Sequence, residues 1–275
     1  MSGRLLLLED VDSTQAEARR QFLAGGNGPL WILARQQSAG VGRAGRTWAS
    51  PPGNLHLSLL FAPQAPLKHW PQLSMLASLV ACKAVARLMV QAGLPGLREA
   101  LALKWPNDLL LNGRKLGGIL LETVEAPHVP AAPAADAPPP DAGAERPVAM
   151  RRALIIGWGI NITHAPPPEE VRWPAISLAE TGMQLHPLLL FETLRDTFWR
   201  WYQVWQSHGG RNVHQAWRRR AYGLGRRMSL HTGQGTLAGT FEDIREDGAL
   251  LLRTDDGTLH ALMAGEVSKV MPEGE

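Results

Sequence analysis

Residues 101–122 carry the pattern that most restricts the fold of this chain. Two apolar runs flank the dipeptide Asn112-Gly113, which suits the type I′ turn of a β-hairpin. We therefore predict a hairpin that starts at 101–108 and returns over 114–122, with antiparallel strands. A sheet built around this hairpin needs further strands, and apolar runs supply them at residues 4–9, 30–36, 55–61 and 152–163.

Helical patterns alternate with these predicted strands. Thr14 and Glu17 have the spacing of a capping box ahead of a short helix, and Gly25 is placed to end that helix. Apolar residues recur at helical spacing over 73–92 and over 188–206, and we expect the tryptophans of the second helical section to face the core. The alternation predicts a mixed α+β domain.

The character of the sequence changes twice more along the chain. After Gly223, five short segments are separated by Gly and Asp turns, which is typical of a small β-barrel of about 50 residues. We therefore expect one domain over residues 1–221 and a second over 222–275. Residues 126–149 hold nine alanines and seven prolines without an apolar period, so this insert is predicted to be largely disordered.

Composition excludes several classes of protein. The 275 residues are 45% hydrophobic and 19% charged, which supports a core and excludes a collagen, a coiled coil or a wholly disordered chain. A net charge of +3 does not favour a nucleic-acid-binding protein. Cys82 is the single cysteine, so an intramolecular disulfide and a thiolate metal cluster are excluded. We find no signal peptide, and the apolar runs are shorter than the ~18 residues of a membrane span, so we expect a cytoplasmic protein.

Residues 40–45 match the G-x-G-x-x-G pattern of dinucleotide-binding folds. That pattern needs a helix to open within it, and the prolines at 50–53 prevent a long helix, so the dinucleotide interpretation fails. What remains is a flexible loop that carries Arg43, Arg46 and Trp48. Guanidinium groups bind carboxylate or phosphate, and an indole can stack on a purine. The sequence is compatible with two interpretations of this segment, a ligand-binding loop and an ordinary surface turn.

The segment KWPND at 104–108 is a second polar cluster. Pro106 restricts its own backbone and that of the preceding residue, so Asn107 and Asp108 are presented in a defined direction. An Asn amide can read an adenine edge, and an Asp can orient an amine or accept its proton. The hairpin brings Lys115 back towards Asp108, which suits ATP phosphates together with a substrate carboxylate. An Asx turn without a ligand is the alternative.

Asn161 ends a buried apolar strand, where it needs a hydrogen-bond partner. The sequence does not decide whether this partner is a backbone group or a ligand. The nine histidines show no metal-ligand spacing, and the Gly-x-Ser-x-Gly motif of α/β-hydrolases does not occur in the sequence. We therefore expect neither a protein-bound metal nor a serine nucleophile of that type.

Taken in order, these motifs resemble biotin–protein ligase. The matching segments span most of residues 8–270 and read DSTQAEA, QSAGVGRAGRTWASPPGNLHLSLLF, KWPNDLLLNGRKLGGILLE, IIGWGINIT and GALLLRTDDGTLHALMAGEVS. KWPND followed by RKLGGIL is a motif pair highly specific to this family. The resemblance is to the smaller bacterial type without an amino-terminal DNA-binding domain. It implies a mixed-sheet catalytic domain of the biotin/lipoate ligase type, followed by a small SH3-like β-barrel.

The resemblance implies a biotin–[acetyl-CoA-carboxylase] ligase that forms AMP. Biotin and Mg·ATP would give biotinyl-5′-AMP and pyrophosphate. A lysine ε-amine on the biotin carboxyl carrier domain of a carboxylase would then attack this mixed anhydride. The implied cofactors and partners are therefore biotin, ATP, Mg and the carrier domain, with no DNA, no membrane, and a monomer or weak homodimer.

The resemblance also implies roles for individual residues. Arg43 would contact the reactive intermediate, Lys115 would hold the biotin carboxylate and the α-phosphate, and Asp108 would lie near the incoming amine. The implied biotin-binding residues are Ser13, Thr14, Gln15, Gln37, Val41, Gly42, Arg43, Lys115 and Gly118. The implied ATP- or adenylate-binding residues are Arg46, Trp48, Asn107 and Asn161.

The sequence departs from the family pattern in three places. Val41 replaces the first arginine of the usual Gly-Arg-Gly-Arg, Gln15 stands where Asn is common, and the insert at 126–149 is longer than the usual connection. Two alternatives remain at this point. One is a lipoate or octanoyl ligase or transferase of related fold, which would lack the KWPND/RKLGG pair and the barrel. The other is a non-catalytic, biotin-sensing binding module.

Overall fold

The structure is a computed structural model that describes residues 3–26, 28–127, 149–233, 235–263 and 265–271. Its elements are, in chain order, β1 (Arg4–Val11), α1 (Thr14–Leu23), β2 (Leu30–Gln37), β3 (Leu55–Phe61), α2 (Gln72–Gln91), β4 (Leu101–Lys104), β5 (Asp108–Leu111), β6 (Arg114–Pro127), β7 (Met150–Ile160), α3 (Pro187–His208), α4 (Arg211–Arg218), β8 (Arg227–Thr232), β9 (Gly235–Ile244), β10 (Leu250–Arg253), β11 (Leu259–Leu262) and β12 (Glu266–Val270).

A seven-stranded mixed sheet forms the centre of the larger part, in the order β1-β2-β3-β7-β6-β5-β4. β1 and β2 are parallel, and every other pair in this sheet is antiparallel. Helices α2 and α3 cover one face and form the main hydrophobic core, whereas α1 covers the other face with Ala18 and Phe22. The predicted α+β class with a mixed sheet is confirmed.

Helix α2 lies in the main core, and Cys82 is buried on it. By length and apolar composition alone this helix could cross a membrane, contrary to the expectation that no segment was long enough. Inside the structure, 72% of its apolar window is buried, as in the core helix of a globular protein. Burial also raises the pKa of the Cys82 thiol to about 11, so this thiol stays protonated and unreactive at neutral pH.

The tryptophans of the second helical section face the core to different degrees. Trp205 on α3 and Trp217 on α4 are buried, while Trp199 and Trp201 are partly buried. Trp31 on β2 meets Trp199 edge-on, with ring centroids 6.3 Å apart. The predicted core role of these aromatic residues is confirmed, because they pack against one another and against the sheet.

Two local predictions need correction. Helix α1 is capped by Ser13 rather than Thr14, because the Ser13 hydroxyl accepts hydrogen bonds from the backbone N–H groups of Gln15 and Ala16. The Glu17 carboxylate binds Arg20 instead of completing a capping box. Residues 101–108 were expected to start the hairpin as one strand, but residues 101–111 form two strands, β4 and β5, joined by a tight turn at Trp105–Asn107.

The second hairpin turn is where the sequence places it. Asn112 and Gly113 have φ values of 51° and 72°, as a type I′ turn requires, and they connect β5 to β6. The predicted insert at 126–149 starts too early, because Ala126 is buried and pairs with Arg151 at the end of β6. The rest of that predicted insert, residues 128–148, lies outside the described residues.

The carboxyl-terminal strands form a five-stranded antiparallel sheet in the order β11-β10-β9-β8-β12, which confirms the five predicted strands of the small barrel. This sheet packs directly on the larger part. The Trp105 indole N–H donates to the carbonyl of Gly248 at 3.0 Å, and Arg218 on α4 forms an ion pair with Asp243 on β9. The barrel is therefore positioned next to the turn that carries the KWPND motif.

Candidate active site

One cavity of about 500 Å³ opens at the edge of the large sheet where β1, β2 and β7 end. The glycine-rich loop, the β4–β5 turn, the start of β6 and the start of β12 complete its wall. All fourteen residues that the sequence singled out line it: Ser13, Thr14, Gln15, Gln37, Val41, Gly42, Arg43, Arg46, Trp48, Asn107, Asp108, Lys115, Gly118 and Asn161. The structure therefore brings together residues that are up to 148 positions apart in the sequence.

One end of the cavity is polar but uncharged. The backbone N–H of Thr14 donates to the Gln37 side-chain oxygen at 2.8 Å, and the Gln37 amide nitrogen donates to Ser50 at 2.7 Å. Ser58, a fully buried serine in the middle of the apolar strand β3, lies 2.8 Å from the Thr14 hydroxyl and 3.0 Å from the Gln15 side-chain oxygen. These groups offer both donors and acceptors to a neutral polar ligand.

The other end is built around one buried carboxylate, that of Asp108. Its Oδ1 lies 2.7 Å from Lys115 Nζ and its Oδ2 lies 2.9 Å from Lys104 Nζ. Burial raises the pKa of the Asp108 carboxyl, but the charges of Lys115 and Lys104 outweigh burial and hold this pKa below its ordinary value. Asp108 is therefore an anion at neutral pH, and the expected approach of Lys115 to Asp108 is confirmed.

The glycine-rich loop folds back on itself above this carboxylate. The Gly42 N–H donates to the Arg46 carbonyl at 2.7 Å, and the Trp48 N–H donates to the Gly40 carbonyl at 2.9 Å. The turn passes through Ala44, whose φ of 55° is in the left-handed region. No long helix starts here, so the geometry agrees with the exclusion of a dinucleotide-binding fold.

The loop is also attached to the carboxyl-terminal sheet. The Arg43 guanidinium donates to the Asn107 side-chain oxygen at 3.2 Å and to the Gly265 carbonyl at 3.4 Å. Arg46 Nη1 lies 2.6 Å from Glu266 Oε1. Burial lowers the pKa of the Arg43 guanidinium, and the nearby Asp108 charge opposes that shift. The barrel thus contributes both backbone and side-chain atoms to the site.

The Trp48 ring packs against the backbone of two glycines, Gly159 and Gly118. A Cβ atom at Gly159 would come within 2.4 Å of the Trp48 ring, and one at Gly118 would come within 3.5 Å. Lys115 Nζ lies 5.5 Å from the centre of the same ring. Within the described part of the chain, the Trp48 indole N–H has no hydrogen-bond partner although it is buried, so a ligand acceptor could satisfy it.

Asn107 and Asn161 both line the cavity, and both donate hydrogen bonds to backbone carbonyls. Asn107 donates to the Ile119 carbonyl at 2.5 Å and accepts from Arg43. Asn161 donates to the carbonyls of Ile176 at 3.2 Å and Lys115 at 3.5 Å. Of the two partners that the sequence left open for Asn161, the backbone is confirmed for its amide nitrogen. Its side-chain oxygen has no partner among the described hydrogen bonds.

Four cavity residues carry contacts that the sequence motifs did not assign. Lys104 and Trp173 lie behind Asp108, Ser58 lies under the uncharged end, and Glu266 binds the loop. A polar residue inside an apolar strand could have identified Ser58. Trp173 lies outside the matching segments, and Glu266 lies inside the last of them, where nothing in the sequence indicated its pairing with Arg46. Within the described ranges, no group of three His, Cys, Asp or Glu side chains could hold a metal ion.

Comparisons with known proteins agree with this arrangement. The Biotin/lipoate A/B protein ligase family model matches residues 8–129, and the Biotin protein ligase C terminal domain model matches residues 223–270. A biotin–[acetyl-CoA-carboxylase] ligase of Paracoccus denitrificans is 36% identical over 256 residues, which are 91% of this chain and 95% of the relative. The bifunctional ligase/repressor BirA of Bacillus subtilis is 33% identical over 274 residues, 93% of this chain and 71% of BirA.

Solved structures give the same result. The biotin protein ligase of Aquifex aeolicus in complex with biotin and ATP superimposes with a TM-score of 0.74 at 25% identity, covering 96% of this chain and 97% of that one. Both parts of the chain therefore have counterparts in one kind of protein, and the similarity runs through the cavity and the barrel that closes it. Fold, motif order and near full-length identity together place this chain in the biotin protein ligase family.

Proposed function

We propose that this chain is an ATP-dependent ligase that activates biotin as biotinyl-5′-AMP and transfers it to one lysine of a biotin carboxyl carrier domain, such as that of acetyl-CoA carboxylase. One observation carries the proposal. Five cationic side chains line a single cavity whose other end is polar and uncharged: Arg43, Arg46, Lys104, Lys115 and Arg172. Such a cavity suits a ligand with a neutral head and a carboxylate, together with a nucleotide.

The first step joins two anions. A biotin carboxylate oxygen attacks the α-phosphorus of ATP, the bond to the bridging oxygen of the β-phosphate breaks, and pyrophosphate leaves. Positive charge offsets the repulsion between the carboxylate and the triphosphate. Lys115 is the cation assigned to the carboxylate and the α-phosphate, and Arg43 is assigned to the adenylate. Mg²⁺ bound to ATP would offset part of the triphosphate charge.

The uncharged end is assigned to the ring system of biotin. Its fused ureido group carries N–H donors and a carbonyl acceptor, and the cavity offers Ser13, Thr14, Gln15 and Gln37 as complementary partners. Arg46 and Trp48 are assigned to the ATP side, and Asn107 and Asn161 to the adenine. Val41 lines the cavity with an exposed side chain, and the backbone around it bridges to Thr47, so its contribution is through the loop backbone.

The second step transfers the biotinyl group. The neutral ε-amine of the carrier lysine attacks the carbonyl carbon of the mixed anhydride, the bond from that carbon to the phosphate oxygen breaks, AMP leaves, and the proton of the amine passes to solvent as the amide forms. The lowered pKa of Asp108 makes it a poor base, but its negative charge attracts the ammonium of the carrier lysine before that group loses its first proton. The loop excludes water from the adenylate between the two steps.

Biotin-dependent exchange of radiolabelled pyrophosphate into ATP tests the proposal. We expect exchange with biotin and none without it, followed by covalent biotinylation of a carrier domain. Absence of exchange with purified protein would overturn the ligase assignment. Exchange with lipoate or octanoate but not with biotin would establish the first alternative, and biotin binding without exchange would establish a binding module.

The proposal keeps three predictions made from the sequence. They are a domain boundary at residues 221 and 222, a monomer or weak homodimer without a DNA partner, and a cytoplasmic location. Sedimentation of the protein with and without biotin and ATP measures the oligomeric state. Limited proteolysis locates the domain boundary, and a tight dimer would contradict the second prediction.

A further inference from the structure

The buried Lys104 has no assigned role in the reaction, yet it touches the centre of the site. Its side chain is 4% exposed, its Nζ lies 2.9 Å from Asp108 Oδ2, and the same nitrogen lies 4.3 Å from the centre of the Trp173 ring. Lys104 and Asp108 are also direct partners across the β4–β5 pair, so the backbone fixes their separation. Asp108 is its one carboxylate partner among the described residues.

A buried ammonium is costly to the fold, so packing alone does not explain Lys104. Taking a charge out of water carries a large penalty, and apolar residues of similar volume can usually replace a buried ion pair without loss of stability. A methionine at position 104 would fill the same space without that penalty. The charge itself therefore calls for an explanation in terms of its neighbours.

The two lysines on Asp108 occupy different surroundings. Lys115 is 28% exposed and faces the cavity, where its Nζ is near the Trp48 ring, whereas Lys104 lies behind the carboxylate. Each lysine takes a separate carboxylate oxygen. If Lys115 swings from Asp108 to a bound anion, Lys104 is the ammonium that stays directly paired with Asp108.

The segment 173–176 contacts both Lys104 and Lys115. The Lys115 N–H donates to the Pro174 carbonyl at 2.6 Å and the Ile176 N–H donates to the Lys115 carbonyl at 3.0 Å, while Trp173 covers Lys104. The Trp173 indole N–H is itself bound to the Gly113 carbonyl at 2.9 Å, which fixes the ring. The backbone of Lys115 is thus clamped, and the freedom that remains is in its side chain.

We propose that Lys104 is a positioning residue that neutralises Asp108 from behind, so that Lys115 can leave Asp108 for the substrate carboxylate and the α-phosphate. The proposal rests on the ligase function proposed above. Among the described residues, Asp108 without Lys104 keeps Lys115 as its single ion-pair partner, with Arg43 nearby but not paired to it, and holds Lys115 back from the substrate. Lys104 touches no reacting atom, and its effect passes through Asp108.

A double-mutant cycle tests this role in the full-length protein. In biotin-dependent ATP–pyrophosphate exchange, we expect Lys104→Met to lower kcat about tenfold or more. In an Asp108→Asn background no carboxylate competes for Lys115, so adding Lys104→Met is expected to change kcat less than about twofold. Equal losses in the two backgrounds, or wild-type kcat in Lys104→Met, would overturn the proposal.

Thermal unfolding of the same variants gives an independent readout. Asp108→Asn leaves the Lys104 ammonium buried without its carboxylate, so adding Lys104→Met is expected to raise Tm above that of Asp108→Asn alone. This comparison still decides the question if Lys104→Met by itself does not fold, because a lower Tm or a further loss of kcat in the double variant contradicts the proposal.

Lys83→Met is the matched control. Lys83 also lies over a tryptophan, Trp201, at 4.8 Å from the ring centre, but it does not line the cavity and pairs with no carboxylate among the described ion pairs. We expect wild-type exchange from this variant. Absence of exchange in the wild-type protein would instead remove the proposed function, while the Tm comparison would still test the pairing of Lys104 with Asp108.

Discussion

Arg46 Nη1 lies 2.6 Å from Glu266 Oε1, and this ion pair ties the glycine-rich loop to the first residue of β12. Arg43 strengthens the connection, because its guanidinium donates to the neighbouring Gly265 carbonyl. The loop that covers the cavity is thus held from the carboxyl-terminal sheet. This contact gives the barrel a place in the site beyond completing the fold.

Glu266→Gln should loosen the loop without unfolding the protein. The two side chains are 45% and 33% exposed, so their ion pair contributes about 1 kcal/mol or less to stability and Tm should stay near that of the wild type. Poorer closure exposes the adenylate to water, and we expect AMP release in the absence of carrier to rise about threefold or more. Quantifying AMP from biotin and ATP without carrier provides the measurement. Asp255→Asn, which breaks an exposed pair with Arg227, is the control, and equal AMP release from both variants would contradict the prediction.

Lys115→Ala should impair adenylate formation far more than stability. The side chain is partly exposed at the cavity, and Asp108 keeps Lys104 as a partner after the substitution. Loss of one preorganised cation beside the reacting anions is expected to lower the exchange rate about a hundredfold. Wild-type exchange in this variant would make Lys115 a structural residue, and the exposed Lys68→Ala serves as the control.

Asp108→Ala should separate the two steps. Transfer from preformed biotinyl-5′-AMP to a carrier domain is expected to fall at least as much as adenylation falls, because the carboxylate attracts the incoming amine. Single-turnover transfer measured beside pyrophosphate exchange gives both rates. An unaffected transfer step would remove this role. The control Asp196→Ala deletes an exposed carboxylate that does not line the cavity.

The stability that Asp108 contributes should depend on pH only in strong acid. Its folded-state pKa lies below the ordinary value of about 4, which the unfolded chain retains. The contribution is therefore complete above pH about 4 and is lost as the pH falls through the lower folded-state pKa. We expect the difference in free energy of unfolding between the wild type and Asp108→Asn to be equal at pH 5 and pH 8, and to shrink below pH about 4. Denaturant titrations across this range measure it, and a difference that changes between pH 5 and pH 8 would contradict the assignment.

Gly159→Ala should displace the Trp48 ring from its position against Gly159. The added methyl group would lie 2.4 Å from the indole, which must move, and the adenylate side of the cavity changes with it. We expect the KM for ATP to rise about tenfold while the KM for biotin changes less. Gly96→Ala is the control because a Cβ there meets nothing within 4 Å. Equal changes in both KM values would show that Trp48 does not distinguish the two substrates.

Much of the secondary structure followed from local pattern. Asn112-Gly113 specified a turn because few dipeptides adopt two successive positive φ values, and the structure places the turn there. The cap of α1 was misassigned because Ser13 and Thr14 are both good caps, and only the position at which β1 ends selects Ser13. The start of the hairpin was misjudged because one strand over 101–111 cannot be distinguished from two strands of four residues with a turn between them before the pairing is known.

The composition of the site was also readable from the sequence, in that every residue taken from the motifs lines one cavity. Glycine, arginine and the Lys–Asn–Asp cluster are types whose chemistry suggests anions wherever they fold. Their mutual contacts were not readable. The Asp108–Lys115 approach could be inferred because one hairpin joins the two residues, whereas Arg46–Glu266 spans two sheets and had no local signal.

The sequence alone determined the α+β class, the five strands of the barrel and the set of residues able to bind a carboxylate and a nucleotide. These properties depend on hydrophobic period, turn chemistry and residue type, which are local. Tertiary structure alone decided that Lys104 sits behind Asp108 and that the barrel holds the loop. Such contacts arise only when distant segments pack together, because burial and charge pairing depend on what each side chain meets in space.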